Sequence, residues 1–288
     1  MRREIKAAML QLKSDNGTIR EECSSAGGND ICIGLEVMKD DAVTFWEKVA
    51  ATKWGNYVTQ IEARSILQGQ SLAGAPGHAL EIGCEGGRWS KLLSDLGWKM
   101  TCIDVNREVL EECRRKVSDA ECILANCNDR TIPCASSSFS LLLCIEVPPV
   151  IQSDWFALEA NRVLRNEGVL VGLACNKMSL RGLANRMAKR SFRKKAEEVY
   201  AISYGALRRS LCRTGFEIAY EEGLCWGPFG RTSNSPLIPA FAKLERVLGL
   251  RRLVTLSPWV VFIARKVGDG RSEIRSRRTE DGRRKLKR

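Results

Sequence analysis

The chain of 288 residues holds one histidine, His78, and its twelve cysteines include no CxxC pair. A Cys/His zinc site has too few ligands of the usual kind, so no metal is expected. Histidine acid–base chemistry would rest on that one side chain, at the start of a strand-like run and so at the wrong end of it for catalysis. Long apolar runs are also missing. Stretches such as Leu141–Leu143 and Val260–Ile263 fall far short of the roughly 18 to 20 residues that span a bilayer, so no integral membrane segment is expected. The first residues reach Gln11, Lys13, Ser14 and Asp15 before any apolar h-region develops. A cytoplasmic location is the expectation, with the cysteines reduced. Cys84, Cys102, Cys122, Cys144 and Cys175 lie in or beside apolar runs, where a thiol packs as a small hydrophobe.

Charge is abundant but unevenly placed. The net charge is +12, with nine basic against four acidic residues from Val267 to Arg288, and ten against two from Arg181 to Arg213. The rest of the chain is near neutral. The 267–288 tail carries almost no apolar residue beyond Val267, Ile274 and Leu286, too few to offset its ordering entropy. It reads as a disordered basic tail, and residues 1–40 as a poorly ordered leader.

Between them the pattern is regular. From Asp41 to Leu67, Phe45, Val49, Trp54, Val58, Ile61 and Ile66 recur near helical spacing, and Gly69, Gly74, Pro76 and Gly77 close the segment. His78–Ile82 is strand-like and runs into a Gly83–Gly87 turn, after which Trp89, Leu92, Leu93 and Leu96 mark a helix face. Met100–Asp104 and Glu121–Ala125 are further strands around a helix carrying Val109, Leu110, Cys113 and Val117. Phe139–Val147 is apolar enough for a central parallel strand. Then come a helix capped at Ser153 or Asp154, with Trp155, Leu158 and Val163 inward, and a strand from Gly168 to Ala174. A helix after Ser203 that stops at Gly215, a strand through Phe216, Ile218 and Tyr220, and a final strand from Ser257 to Arg265 complete the set. This predicts an α/β fold: a doubly wound, Rossmann-like, seven-stranded, mostly parallel sheet with helices on both faces and a small helical cap. The main domain spans 41–266, with cap elements near 41–72, 176–202 and 229–256.

The chemistry concentrates where the first strand ends. Gly83, Gly86 and Gly87 leave the backbone open to a ligand at a helix start, and Asp104 ends the next strand 21 residues after Gly83. That is the separation at which a βαβ nucleotide fold sets a carboxylate on ribose hydroxyls. The Gly-x-x-Gly-Gly spacing is not that of a pyrophosphate loop, and Glu85 would repel a pyrophosphate. An uncharged or cationic adenosine ligand suits it better.

Here a resemblance enters. Leu80-Glu81-Ile82-Gly83-Cys84-Glu85-Gly86-Gly87-Arg88-Trp89 resembles motif I of class I S-adenosylmethionine-dependent methyltransferases, of the ubiquinone/menaquinone-methyltransferase-like small-molecule type. Ile103-Asp104-Val105-Asn106 is similar to the family's acidic strand-2 end and Ala125-Asn126-Cys127 to its adenine-binding turn. Ile132-Pro133 with Ser138-Phe139-Ser140 is similar to the approach to strand 4, and Arg162–Gly168 to the entry of strand 5. The likeness covers about residues 54–266. It implies S-adenosyl-L-methionine as cofactor, with Glu81 toward the methionine amino group, Gly83, Cys84 and Gly87 along the carboxypropyl chain, and Asp104 with Val105 at the ribose. Asn126 and the Cys127 amide would frame adenine, with Ile145 and Tyr57 completing the walls. Two plainer readings stay open: Glu81 as a cap of the neighbouring helix, and Asp104 as a strand end. This chain departs from the family where Glu85 replaces a glycine, Asn126 an aspartate, and Val147-Pro148-Pro149 the Leu-Glu-His after strand 4.

If the acceptor must lose a proton, the candidate groups are Glu146, Tyr57 and Tyr204. Trp54-Gly55-Asn56-Tyr57 resembles the family's N-terminal lid, with core packing as the plainer reading. The basic 176–202 insert fits a solvated face, an anionic membrane surface or lipid-like substrate, or RNA. The expected function is methylation of a small or lipophilic molecule. RNA methylation through the insert and tail, and a silent binding module blocked by Glu85, are the alternatives.

Overall fold

In the computed structural model, residues 45–187 and 199–268 are described. The leader, the middle of the basic insert (188–198) and nearly all of the tail lie outside them. The described elements run α1 (Phe45–Ala50), α2 (Lys53–Ala73), β1 (His78–Ile82), α3 (Arg88–Asp95), β2 (Lys99–Asp104), α4 (Arg107–Lys116) and β3 (Glu121–Leu124). They continue β4 (Phe139–Cys144), α5 (Pro148–Ile151), α6 (Phe156–Val163), β5 (Leu164–Cys175), α7 (Leu180–Met187), α8 (Tyr204–Arg213), β6 (Phe216–Leu224), α9 (Ile238–Val247), a 3-10 turn (Leu250–Arg252) and β7 (Trp259–Lys266). The seven strands lie in the order β3-β2-β1-β4-β5-β7-β6. β1 to β5 pair in parallel, and β7 runs antiparallel between β5 and β6.

The parallel strands are apolar because both faces are covered. Leu141, Leu143, Val169 and Val171 face a layer that includes Trp54, Val58, Ile61 and Ile66 of α2 and Leu92 and Leu93 of α3. Leu142, Leu170, Val260 and Phe262 face Ile151, Phe156, Val163, Tyr204, Leu207 and Leu211. Burying each such side chain contributes about 1.5 to 3 kcal/mol, so the alternation along these strands sets which helices lie on which face.

Caps follow the sequence closely. Thr52 accepts from the Gly55 amide, Asn106 from Glu108 and Ser203 from Ala206, each satisfying a donor left open in a first turn. Ser153 Oγ accepts from the Phe156 amide. Two readings change. Leu158 is 63% exposed, because Phe156, Ala157, Ala160 and Val163 take the inward face of α6. α2 runs on to Ala73 instead of closing at Leu67, because its last turns pack on β5, with Gly69 against Val171.

Candidate active site

In an open α/β sheet the crevice lies at the carboxyl ends of the strands. There the β1–α3 loop turns on two left-handed glycines, Gly83 (φ 71) and Gly87 (φ 76). A Cβ on Gly83 would collide with Val147 Cγ2, and one on Gly87 would stand 2.7 Å from Cys113 Sγ. The loop is tied down by backbone: the Gly83 amide donates to Ile103 O at 2.7 Å and the Gly87 amide to Cys84 O at 2.8 Å.

Asp104 closes β2 beside it. Its Oδ2 accepts from the Glu85 amide at 3.0 Å and its Oδ1 from the Asn106 amide at 2.9 Å. Glu85 itself sits at φ 47, where glycine would be easier. Val105 is exposed next to Asp104, and Asn126 Oδ1 accepts from the Asn128 amide at 3.0 Å in an Asx turn, with Cys127 exposed behind it. Ile145 ends the β4 run, buried.

Glu81, which the resemblance sets toward the methionine amino group, is bonded to α3. It is buried, and its carboxylate accepts from the Ser90 hydroxyl and the Ser90 amide, which caps the first turn of α3. Burial drives its pKa up to about 8. Tyr57 is not free for chemistry either. Its hydroxyl donates to Glu245 Oε2 at 2.5 Å and accepts from the Cys225 amide at 3.0 Å, and burial holds its proton far above the usual range. Tyr204 is buried under the far edge of the sheet, donating to Glu221 Oε2 on β6, with β4, β5 and β7 between β6 and β1. Trp54 is a core residue, edge-on to Trp259 at 5.2 Å. His78 is exposed at the opposite end of β1.

Glu146 is the candidate that the fold keeps in the crevice. It follows β4 at φ 57, and its buried Oε1 has no hydrogen-bond partner among the described residues. Burial raises its pKa well above the carboxylate range, and the nearby Glu62 adds to this while Arg231 and Arg88 oppose it. Glu62, on α2, was not picked out by sequence. It is buried, its Oε1 is also without a partner, and its Oε2 accepts from Arg88 at 3.3 Å. Burial raises its pKa to about 7, against the pull of Arg88. Arg88 also donates to Thr59 Oγ1 at 2.9 Å and stacks over Trp89. The overlooked signal was a carboxylate at i+4 from Val58 and i−4 from Ile66, inside the buried stripe of α2.

A second grouping was invisible in sequence. The Sγ atoms of Cys84, Cys102 and Cys113 lie within 4.8 Å of one another beneath the loop, all buried. They come from three elements, so no spacing announces them.

These features fit an adenosine sulfonium cofactor. The loop lacks side chains at Gly83 and Gly87, Asp104 is held at the end of β2, and two buried carboxyl oxygens, on Glu62 and Glu146, are left as open hydrogen-bond acceptors.

Residues 80–172 match the family model described as "Methyltransferase domain". No curated protein matches the chain. Among solved structures, an S-adenosylmethionine-dependent methyltransferase from Mesorhizobium loti is 16% identical, with 71% of this chain and 97% of that one covered and a TM-score of 0.51. A putative S-adenosylmethionine-dependent methyltransferase from Listeria monocytogenes is 13% identical, with 72% and 98% covered and a TM-score of 0.52. A putative methyltransferase from Bacillus halodurans is 14% identical, with 70% and 99% covered and a TM-score of 0.51. The fold is theirs, and the match over 80–172 takes in the glycine loop, Asp104, Asn126 and Glu146. Residues 80–172 thus match a methyltransferase domain, and the chain shares the fold of S-adenosylmethionine-dependent methyltransferases.

Proposed function

We propose that the methyl acceptor is a small or lipophilic molecule held over the end of β4 and enclosed by the cap, and that Glu146 takes its proton. The observation that carries this is Glu146 Oε1: buried, unpartnered and at the end of the central strand, where it can accept a hydrogen bond from a ligand. A buried carboxylate without a partner is costly, and a ligand donor would remove the cost. S-adenosylmethionine, when bound, supplies a methyl carbon on a sulfonium leaving group. The chain's own part is positioning and charge. The Gly83–Gly87 loop and Asp104 hold the cofactor, Glu62 keeps Arg88 against α2, and Glu146 orients the acceptor and receives its proton. In-line positioning of two reactants contributes about 7 to 11 kcal/mol in favourable cases, so a single base is enough.

The test begins with calorimetric titration by S-adenosylmethionine and S-adenosylhomocysteine, with NAD as control. Labelled-methyl transfer is then assayed across pools of small amines, phenols and lipids, beside RNA. Transfer to a small acceptor that is insensitive to salt supports the reading, and transfer only to RNA with steep salt dependence overturns it.

A further inference from the structure

α9 turns one face inward and leaves the other bare. Ile238, Phe241 and Glu245 face the cap, and Glu245 locks the helix there by accepting from the Tyr57 hydroxyl and, at 2.9 Å, from the Trp226 amide. An adjoining flank carries Leu244, Val247 and Leu248 at i, i+3 and i+4, with Val247 71% and Leu248 59% exposed. Past the 3-10 turn, Leu253 and Leu256 are exposed as well. Burial selects against such a cluster in water, where exposed apolar residues are normally scattered singly.

The second observation lies beside it. An open groove between α2 and α9 is lined by Lys53, Arg64, Lys243, Arg246 and Arg251, with no carboxylate among the described residues of its lining. Arg64 and Arg251 both bond Glu222 behind the groove, so one carboxylate is shared between two guanidiniums and the positive charge stays in excess. Lys243 and Arg246 are on α9 itself, and Arg252 is exposed just after it. Cations beside an exposed aliphatic ridge match one surface: phosphates level with the groove and acyl chains level with the ridge.

We propose that this face is a docking site for an anionic phospholipid bilayer, with the groove taking lipid phosphates and Val247, Leu248 and their apolar neighbours dipping into the acyl boundary. The proposal stands whether or not the methyl acceptor is itself a lipid. It does not use the 188–198 or 269–288 segments.

The experiment is co-sedimentation of the full chain with phosphatidylcholine vesicles, with and without phosphatidylglycerol. Binding to the anionic vesicles alone is expected, with at least a tenfold loss in the double variant Val247→Asp, Leu248→Asp and a several-fold loss in Lys243→Ala, Arg246→Ala. All four positions are exposed. S-adenosylhomocysteine affinity measured on the same samples should stay unchanged, which separates failure of docking from failure of the cofactor site. Three results would overturn the proposal. One is no vesicle binding at low salt. Another is binding that survives the Val247 and Leu248 substitutions, which would assign it to the basic tail. The third is a concentration-dependent dimer that those same substitutions dissolve, which would give the face to a second copy.

Discussion

The backbone amide of Glu85 donates to Oδ2 of Asp104 at 3.0 Å, so the residue that stands where the family has glycine orients the acidic residue the family places on ribose. The bond uses the main chain, which is why a bulky side chain at this position does not break it. Asp104→Ala removes both that anchor and the hydroxyl partner. Hydrogen bonds to charged groups contribute roughly 1.5 to 3 kcal/mol, so S-adenosylhomocysteine affinity should fall by about one to two decades in calorimetry. Unchanged affinity would remove Asp104 from the site.

Gly87→Ala meets two penalties at once. A Cβ there lies 2.7 Å from Cys113 Sγ, and a left-handed residue with a side chain costs about 1 to 2 kcal/mol. The melting temperature should drop by several degrees. Adding Cys113→Ala should recover part of the loss but not all, because the backbone penalty and the nearby Cys113 Cα at 3.1 Å remain. Full recovery would show that the conformation at Gly87 is not strained by a side chain.

Glu62 makes stability depend on pH. Burial raises its folded pKa to about 7, above the ordinary carboxyl value of about 4.5, so the folded state binds its proton more tightly than the unfolded state does. The stabilisation is present below about 4.5 and is lost as pH rises through about 7. Glu62→Gln should remove this dependence, becoming more stable relative to the parent as pH rises from 5 to 8 (roughly the interval spanned by the two pKa values). Parallel melting curves for the two proteins across that range would show that Glu62 does not titrate with folding.

Tyr57→Phe separates structure from chemistry. The change strips a partner from the buried Glu245 carboxylate and from the Cys225 amide, and each unsatisfied group costs about 1 to 3 kcal/mol. Thermal stability should fall while cofactor affinity holds. A selective loss of cofactor binding with stability intact would return Tyr57 to the site.

Glu146→Gln keeps shape and removes the proton acceptor. Methyl transfer should fall by 10²-fold or more, on the order of general-base effects, with S-adenosylhomocysteine affinity little changed. An equal rate in the variant would leave acceptor deprotonation to solvent.

Much of this molecule follows from local pattern. The apolar runs at Leu141–Leu143 and Val260–Ile263, the caps at Asn106 and Ser203, and the glycines at 83 and 87 each state their structure within a few residues, because burial periodicity, capping and left-handed turns are short-range effects. The alternation of strand and helix with Asp104 at its set distance was enough to name a doubly wound sheet and a cofactor end. Other features were settled by residues far apart in the chain. Glu81 went to the Ser90 turn, Tyr57 to Glu245 and Tyr204 to Glu221, because each buried polar group must find a partner and the nearest one is known only after folding. The Glu62–Glu146 pair, the three converging thiols and the bare face of α9 arise the same way, from elements brought together across the sheet. Sequence alone determined the fold class, since that is written in periodicity; which carboxylate is left without a partner was decided only by tertiary packing, since that depends on what every other polar group has already taken.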